Sequence, residues 1–137
     1  MTTNLIKPEK LQVDDLFMRG FALFKSGQYK QSADFFRMVT LLAPTEGRYW
    51  ISLGHVIRKM GDLDGAIEAF KAALILGQDN DSDLWLTLAE CFQDKGLKDK
   101  ALVALEQAMA VLPPQAKQTR ERLELIKKTW SNEVCYE

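Results

Sequence analysis

Apolar residues recur along this chain at helical spacing, and small residues punctuate them at a longer, fixed interval. Gly20 and Gly54 lie 34 residues apart, as do Gly27 and Gly61, and Phe36 and Phe70. Gly61 and Gly96 lie 35 apart, which places one extra residue near 79–83. Between these marks the apolar positions step by three and four, the period of one helix face. The pattern predicts paired helices over about 9–26 and 29–42, 47–60 and 63–77, and 81–95 and 97–112. Pro8 suits the first helical position of the first pair. Pro44 and Pro113 close the second helices of their pairs. Gly27, Gly61 and Gly96 end the first helices, where a left-handed residue is needed.

A period of 34 residues built from two helices is that of tetratricopeptide repeats. Three frames match in register. Trp50, Leu53, Gly54, Ile57, Gly61, Leu63, Ala66, Phe70 and Ala73 fill the second. Leu16, Gly20, Leu23, Gly27, Tyr29, Phe36 and Pro44 fill the first. Trp85, Leu88, Ala89, Phe92, Gly96, Leu97, Ala101, Leu105, Ala108 and Pro113 fill the third. Gly20, Gly54 and Ala89 sit inside helices, where Gly costs about 1 kcal/mol against Ala. Close approach of a partner helix explains that choice, with Ser32, Ala66 and Ala101 as small counterparts. The expected fold is all-α: one domain over 1–137 with repeats at about 13–46, 47–80 and 82–115. A capping helix follows at about 115–130, with a frayed tail at 131–137. That helix carries Leu123, Ile126 and Trp130 on one stripe, and Lys117, Arg120, Arg122 and Lys127 mostly elsewhere. Repeat arrays need such a polar-backed end.

In such stacks the first helices line a concave face. That places Asp14, Phe17, Phe21, Phe24 and Lys25 of the first repeat in the groove. Arg48, Ile51, His55, Arg58 and Lys59 follow from the second, and Asp83, Leu86, Glu90, Gln93 and Asp94 from the third. Phe17, Phe21 and Phe24 lie at i, i+4 and i+7, on one face. They read as anchor pockets for apolar side chains of a peptide, or as core beneath a folded-back N-terminal segment. Each buried ring is worth about 1.5–3 kcal/mol, enough for micromolar binding once association costs are met. Ile51, Leu86 and Tyr49 extend the floor. The charges run from basic (Arg48, Arg58, Lys59) to acidic (Glu90, Asp94), which would orient a peptide.

Composition narrows the function. With 47% apolar and 27% charged residues and a net charge of −1, nothing draws the chain to nucleic acid or to an anionic membrane. Glu121 and Glu124 interrupt the basic run from Lys117 to Lys128. No apolar stretch is long enough for a membrane span, and the N-terminus has no signal-peptide pattern. One histidine, His55, and two separated cysteines, Cys91 and Cys135, cannot assemble a zinc set. Free thiols fit a reducing cytoplasm. No phosphate loop, HExxH or GxSxG motif is present, so neither an enzyme nor a cofactor is expected. Phe17 and Phe21 stand where co-chaperone repeats place Lys and Asn to clamp a C-terminal carboxylate, and rings cannot bind one.

Four stretches carry a closer resemblance. These are Phe17-x3-Phe21-x2-Phe24-x-Ser26-Gly27-x-Tyr29, Gly47 to Gly54, Met60 to Ile67, and Leu88 to Gly96 with its Ala-Glu-Cys. Over about Pro8 to Leu112 the chain resembles the class II chaperones of bacterial type III secretion. The resemblance implies a bacterial cytoplasmic chaperone that holds an extended segment of secreted translocator proteins before export. Its groove would take Pro and Leu side chains, with the aromatics mapping onto Phe17, Phe21 and Phe24. A homodimer is also implied, usually built with an extra N-terminal helix. Here only Met1 to Lys7 precede the first repeat, which argues against that form of dimer. A generic repeat adaptor in a larger assembly is the competing expectation. The partner-peptide site expected from the sequence is Phe17, Phe21, Phe24, Tyr49, Ile51, His55, Arg58, Lys59, Leu86 and Glu90.

Overall fold

A computed structural model describes residues 10–135. Among them the order is α1 (Lys10–Lys25), α2 (Tyr29–Leu42), α3 (Gly47–Lys59), α4 (Leu63–Ala73), α5 (Ser82–Asp94), α6 (Lys98–Ala110) and α7 (Lys117–Cys135). No strand occurs among the described residues. The expected start of the first helix at Pro8 or Glu9, and the end of the tail at 136–137, lie outside them. The chain gathers into two compact units, one ending at Gly77 and the other beginning at Gln78.

In the first unit α1 packs on α2, α2 on α3, and α3 on α4. Its core is Val13, Ala33, Phe36, Val39, Tyr49, Leu53, Val56, Ile57, Ala66, Ile67, Ala69, Phe70 and Ala73. The glycines inside the helices have a direct cause. A Cβ on Gly20 would stand 2.7 Å from Cε1 of Phe36, and one on Gly54 would stand 2.5 Å from Cε1 of Phe70. Both rings are almost fully buried, so only a glycine lets them lie flat on the neighbouring helix. Ser32 is more than a small residue: its hydroxyl donates to the Gly20 carbonyl at 2.7 Å, inside the α1–α2 contact.

The second unit packs α5 on α6 and α6 on α7. Leu84, Leu88, Ala89, Cys91, Phe92, Ala101, Ala104, Leu105, Ala108, Met109 and Leu123 are its core. Here Ala89 and Leu105 occupy the Gly–Phe positions, both fully buried. The ends of this helix pair are tied by the Ser82 hydroxyl, which donates to the Ala108 carbonyl at 2.9 Å.

The turns repeat as the helices do. The amides of Gln28, Asp62 and Leu97 donate to the carbonyls of Leu23, Ile57 and Phe92, five residues back. Each turn holds a glycine with φ between 82° and 89°. This closure satisfies carbonyls that the helix end leaves open. The indoles of Trp50 and Trp85 each donate to a carbonyl six residues back, Pro44 at 2.9 Å and Asp79 at 2.7 Å. These two bonds locate the extra residue of the 35-residue interval. The 35-residue spacing is already in place at Asp79, so the insertion lies before it rather than at 79–83. It is taken up by a wide π-type turn at Leu74–Gln78, which ends α4 at Ala73 and carries Gly77 at φ 100°. Such a turn adds one residue to a helical chain.

The C-terminal helix corrects the expected layout in two respects. It continues to Cys135, so 131–135 are helical rather than frayed. Arg120 and Lys127, placed off the apolar stripe, also bond to α6 and the residues that end it. The Arg120 guanidinium donates to the carbonyls of Met109 (3.1 Å) and Leu112 (3.4 Å) at the end of α6. Lys127 pairs with Glu106, and that carboxylate raises its pKa through a hydrogen bond and its charge. With Leu123 buried between them, these residues at i, i+3 and i+7 make one mixed face.

Candidate functional site: an aromatic cleft in the first unit

The first unit contains a cleft of about 300 Å³ lined by Phe21 and Phe24 of α1, Phe36 of α2, and Ser52 and His55 of α3. Helix spacing explains the lining. Phe21 and Phe24 share one face of α1, and Ser52 and His55 share one face of α3. Phe36 forms the back wall because Gly20 brings α2 close to α1.

A chain of ring contacts runs from the core to this opening. Phe17 lies 5.6 Å from Phe36 and 5.3 Å from Tyr49, centroid to centroid, and stacks on Phe21 at 6.4 Å with 11° between planes. Phe24 leans on Tyr29 at 5.5 Å. His55 stands edge-on to the buried Phe70 at 5.2 Å. Offset and tilted pairs of this kind hold rings in place. The walls are therefore set by the packed core, while Phe21 keeps 42% of its surface exposed at the mouth.

Polar groups border the rings. Ser52 donates to the Arg48 carbonyl at 3.3 Å, leaving its oxygen able to accept. Lys25 places its ammonium 5.4 Å from the Phe21 ring centre. At another point Tyr49 directs its hydroxyl to Asp14 Oδ1 at 3.3 Å. Burial, first, and then the Asp14 charge push the Tyr49 phenol above its ordinary pKa. Arg48 bonds Glu46 Oε2 through Nε at 2.8 Å, and that hydrogen bond and charge raise its pKa.

Of the residues expected from the sequence, Phe21, Phe24 and His55 line the cleft. Phe17 is half-buried and braces Phe21, and Tyr49 is buried at 6% exposure behind it. Ile51 and Arg58 are half-buried on α3, and Lys59 is exposed at its end. Leu86 and Glu90 are half-buried on α5, in the second unit. Phe36 and Ser52 were not expected. Phe36 reads as a frame residue because it recurs as Phe70, and that repetition hides its second face toward the opening. Ser52 lies one position from Ile51, which the groove count selects instead.

Among the described residues no group of three or more His, Cys, Asp or Glu could hold a metal ion. No helix among them is long and apolar enough to cross a membrane. The Cys91 thiol is buried.

Comparison with known proteins follows the same lines. A family model described as tetratricopeptide repeat matches residues 58–123. No curated protein matches the chain by sequence. Among solved structures, the chain is similar to the Yersinia enterocolitica type III secretion chaperone SycD in complex with a peptide of the translocator YopD. The TM-score is 0.84 at 19% identity, over 94% of this chain and 99% of that one. It is similar to Pseudomonas aeruginosa PcrH in complex with the chaperone-binding region of PopD, at TM-score 0.83 and 18% identity, over 98% and 99%. A type III secretion complex from Aeromonas hydrophila matches at TM-score 0.85 and 17% identity, over 94% and 87%. The fold is that of the type III secretion translocator chaperones, with tetratricopeptide repeats as its unit.

Proposed function

We propose that this protein is a cytoplasmic chaperone that binds an extended apolar segment of secreted translocator proteins and keeps it soluble before type III export. The observation that carries this reading is the open aromatic cleft on α1–α3, with Phe21 left 42% exposed. Exposed rings at fixed positions on a packed wall are suited to take apolar side chains from a partner. The proteins that share the fold include two in complex with a translocator peptide or chaperone-binding region.

Phe21 and Phe24 receive an apolar side chain, and Phe17 holds Phe21 in position. Tyr49 supports Phe17 from behind, and His55 borders the opening. Arg58 and Lys59 meet client backbone carbonyls or acidic groups, and Ile51 extends the contact. Capture is an equilibrium: burial of the segment lowers its free concentration below that needed for aggregation. No bond is made or broken, so the protein works without catalysis or cofactor.

Fluorescence anisotropy with a labelled peptide of Pro-x-Leu-x-x-Pro spacing tests the proposal. Wild type is expected to bind at micromolar Kd, and the Phe17→Ala/Phe21→Ala variant at least about tenfold more weakly. Phe21→Ala alone serves if the double variant does not fold, since its ring is partly exposed. Equal binding by wild type and variant would return the rings to a structural role and leave a repeat adaptor that docks its partner elsewhere.

A further inference from the structure

A cation stands at the mouth of the cleft. Lys25 is exposed in the last turn of α1, with its ammonium over the Phe21 ring that forms the mouth. One repeat on, Arg58 and Lys59 occupy the last turn of α3, Lys59 standing 34 residues after Lys25. Residues 16–25 and 47–59 include Arg19, Lys25, Arg48, Arg58 and Lys59 but not one Asp or Glu. Arg19 and Arg48 are engaged by Asp15 and Glu46, at or before the N-terminal halves of their helices. The one acidic residue of α2, Asp34, pairs with Arg37.

Cations do favour helix C-termini, but that is not a general habit of this chain. The last turns of α2, α5 and α6 hold no basic residue. On α5 the position matching Lys59 is Asp94. Basic endings are thus found on α4, at Lys71, and on the two helices that build the cleft's front walls, α1 and α3.

We infer that the segment accepted by this cleft carries a carboxylate beside its apolar anchor, with Lys25 as the residue that selects it. The inference rests on the chaperone reading and specifies the client's chemistry: an apolar side chain seated against Phe21 and Phe24, followed closely by Asp or Glu. Lys25 is well placed for this. Its ammonium is held near the rings that take the anchor, yet remains open to solvent, so a neighbouring client carboxylate meets it without desolvating a buried charge. Recognition of this kind sets register and preference more than affinity.

The test uses two labelled peptides that differ at the residue after the leucine of Pro-x-Leu-x-x-Pro, one with Glu and one with Gln. Wild type should bind the Glu peptide about twofold to fivefold more tightly at low salt, the range of an exposed ion pair. The preference should shrink as salt is raised. Lys25→Gln should bind both peptides equally, and Lys25→Glu should prefer the Gln peptide. Both variants change an exposed side chain, and circular dichroism checks that they remain folded. Equal wild-type binding of the two peptides, or a preference that survives Lys25→Gln, overturns the selective role while leaving the cleft reading standing. Failure of wild type to bind either peptide overturns the chaperone reading and this inference with it.

Discussion

The first unit and the second are built on one frame and finish it differently. In α1–α4 the frame is glycine against phenylalanine, Gly20 on Phe36 and Gly54 on Phe70. In α5–α6 it is Ala89 and Leu105, with the bulk moved from ring to methyl. The groove positions change more sharply. Phe17, Phe21 and Phe24 of the first repeat become Ile51, His55 and Arg58 in the second, then Leu86, Glu90 and Gln93 in the third. The first unit keeps an aromatic ring open at its surface, while the second covers α6 with α7. Inter-helix residues and groove residues are therefore under separate demands. The former must fit each other, and any complementary pair of volumes serves; the latter are free to set what is bound.

The largest effect is expected from mixing the two kinds of frame. Gly54→Ala gains about 1 kcal/mol of helix propensity but drives a methyl into the buried Phe70 ring, at 2.5 Å. Overpacking of this kind costs about 1–3 kcal/mol and shifts backbone, so the net result is a loss of up to about 2 kcal/mol. Adding Phe70→Leu, which recreates the Ala89–Leu105 arrangement, should recover part of that loss. Ala89→Gly in the other unit should cost only about 1 kcal/mol, the propensity difference. Urea denaturation midpoints for the three variants and the double variant decide the matter. A stabilised Gly54→Ala, or a double variant whose losses simply add, would show that volume complementarity is not what sets the glycine.

These same residues explain what could be read in advance. The repeats were legible because a buried ring and the glycine beneath it must recur together, so the spacing repeats with them. The glycine turns were legible for a similar reason: a left-handed residue is needed wherever the first helix closes five residues back. The insertion was placed a few residues late, at 79–83, because its marker is a hydrogen bond from Trp85 to Asp79, not a residue type. The wide turn that absorbs it contains Leu74, Ile75 and Leu76, which look like uninterrupted helix. The tail from 131 was expected to fray as chain ends do, yet α7 runs on to Cys135. In the cleft, Phe21, Phe24 and His55 are residues that the groove positions of the repeat frame select. Phe36 did not, because a side chain with one face in the core and another at an opening has the same sequence signature as one fully enclosed.

A smaller effect is expected where the second unit closes on itself. Arg120 was placed off the apolar stripe of the last helix, and it supplies donors to the carbonyls of Met109 in the last turn of α6 and of Leu112 just past it. The Met109 carbonyl also accepts from the Leu112 amide at 3.2 Å, so the guanidinium adds a donor there and reaches a further acceptor at Leu112. Arg120→Ala should cost about 1 kcal/mol, at the low end for a charged hydrogen bond because the group is partly solvated. Hydrogen exchange should speed at the end of α6 and along α7 while α1–α4 stay unchanged. Arg120→Lys should restore only part of the loss, since an ammonium lacks the planar fork that reaches two acceptors. Uniform acceleration across both units would mean that α7 contributes by burial of Leu123 and its neighbours rather than by this cap.

The smallest effect belongs to the first unit and depends on pH. The folded state raises the Tyr49 phenol above 10.0, chiefly by burial and then by the Asp14 charge. A raised folded pKa means that the native protein holds this proton more tightly than the unfolded chain. The corresponding stabilisation is fully present below the unfolded value of about 10 and is lost as pH rises through the higher folded value. Wild type should thus show a declining urea midpoint above pH 10 that Tyr49→Phe lacks. Below pH 9 the two should differ by a small constant, the hydroxyl's contact with Asp14 at 3.3 Å being a weak bond. Lysines and other tyrosines also titrate in this range, so the informative quantity is the difference between the two profiles. Parallel profiles from pH 8 to 11.5 would mean that the phenol is as well hydrated folded as unfolded. The wall behind Phe17 would then be wetter than the buried Tyr49 indicates, and the rings it supports less firmly held for a client.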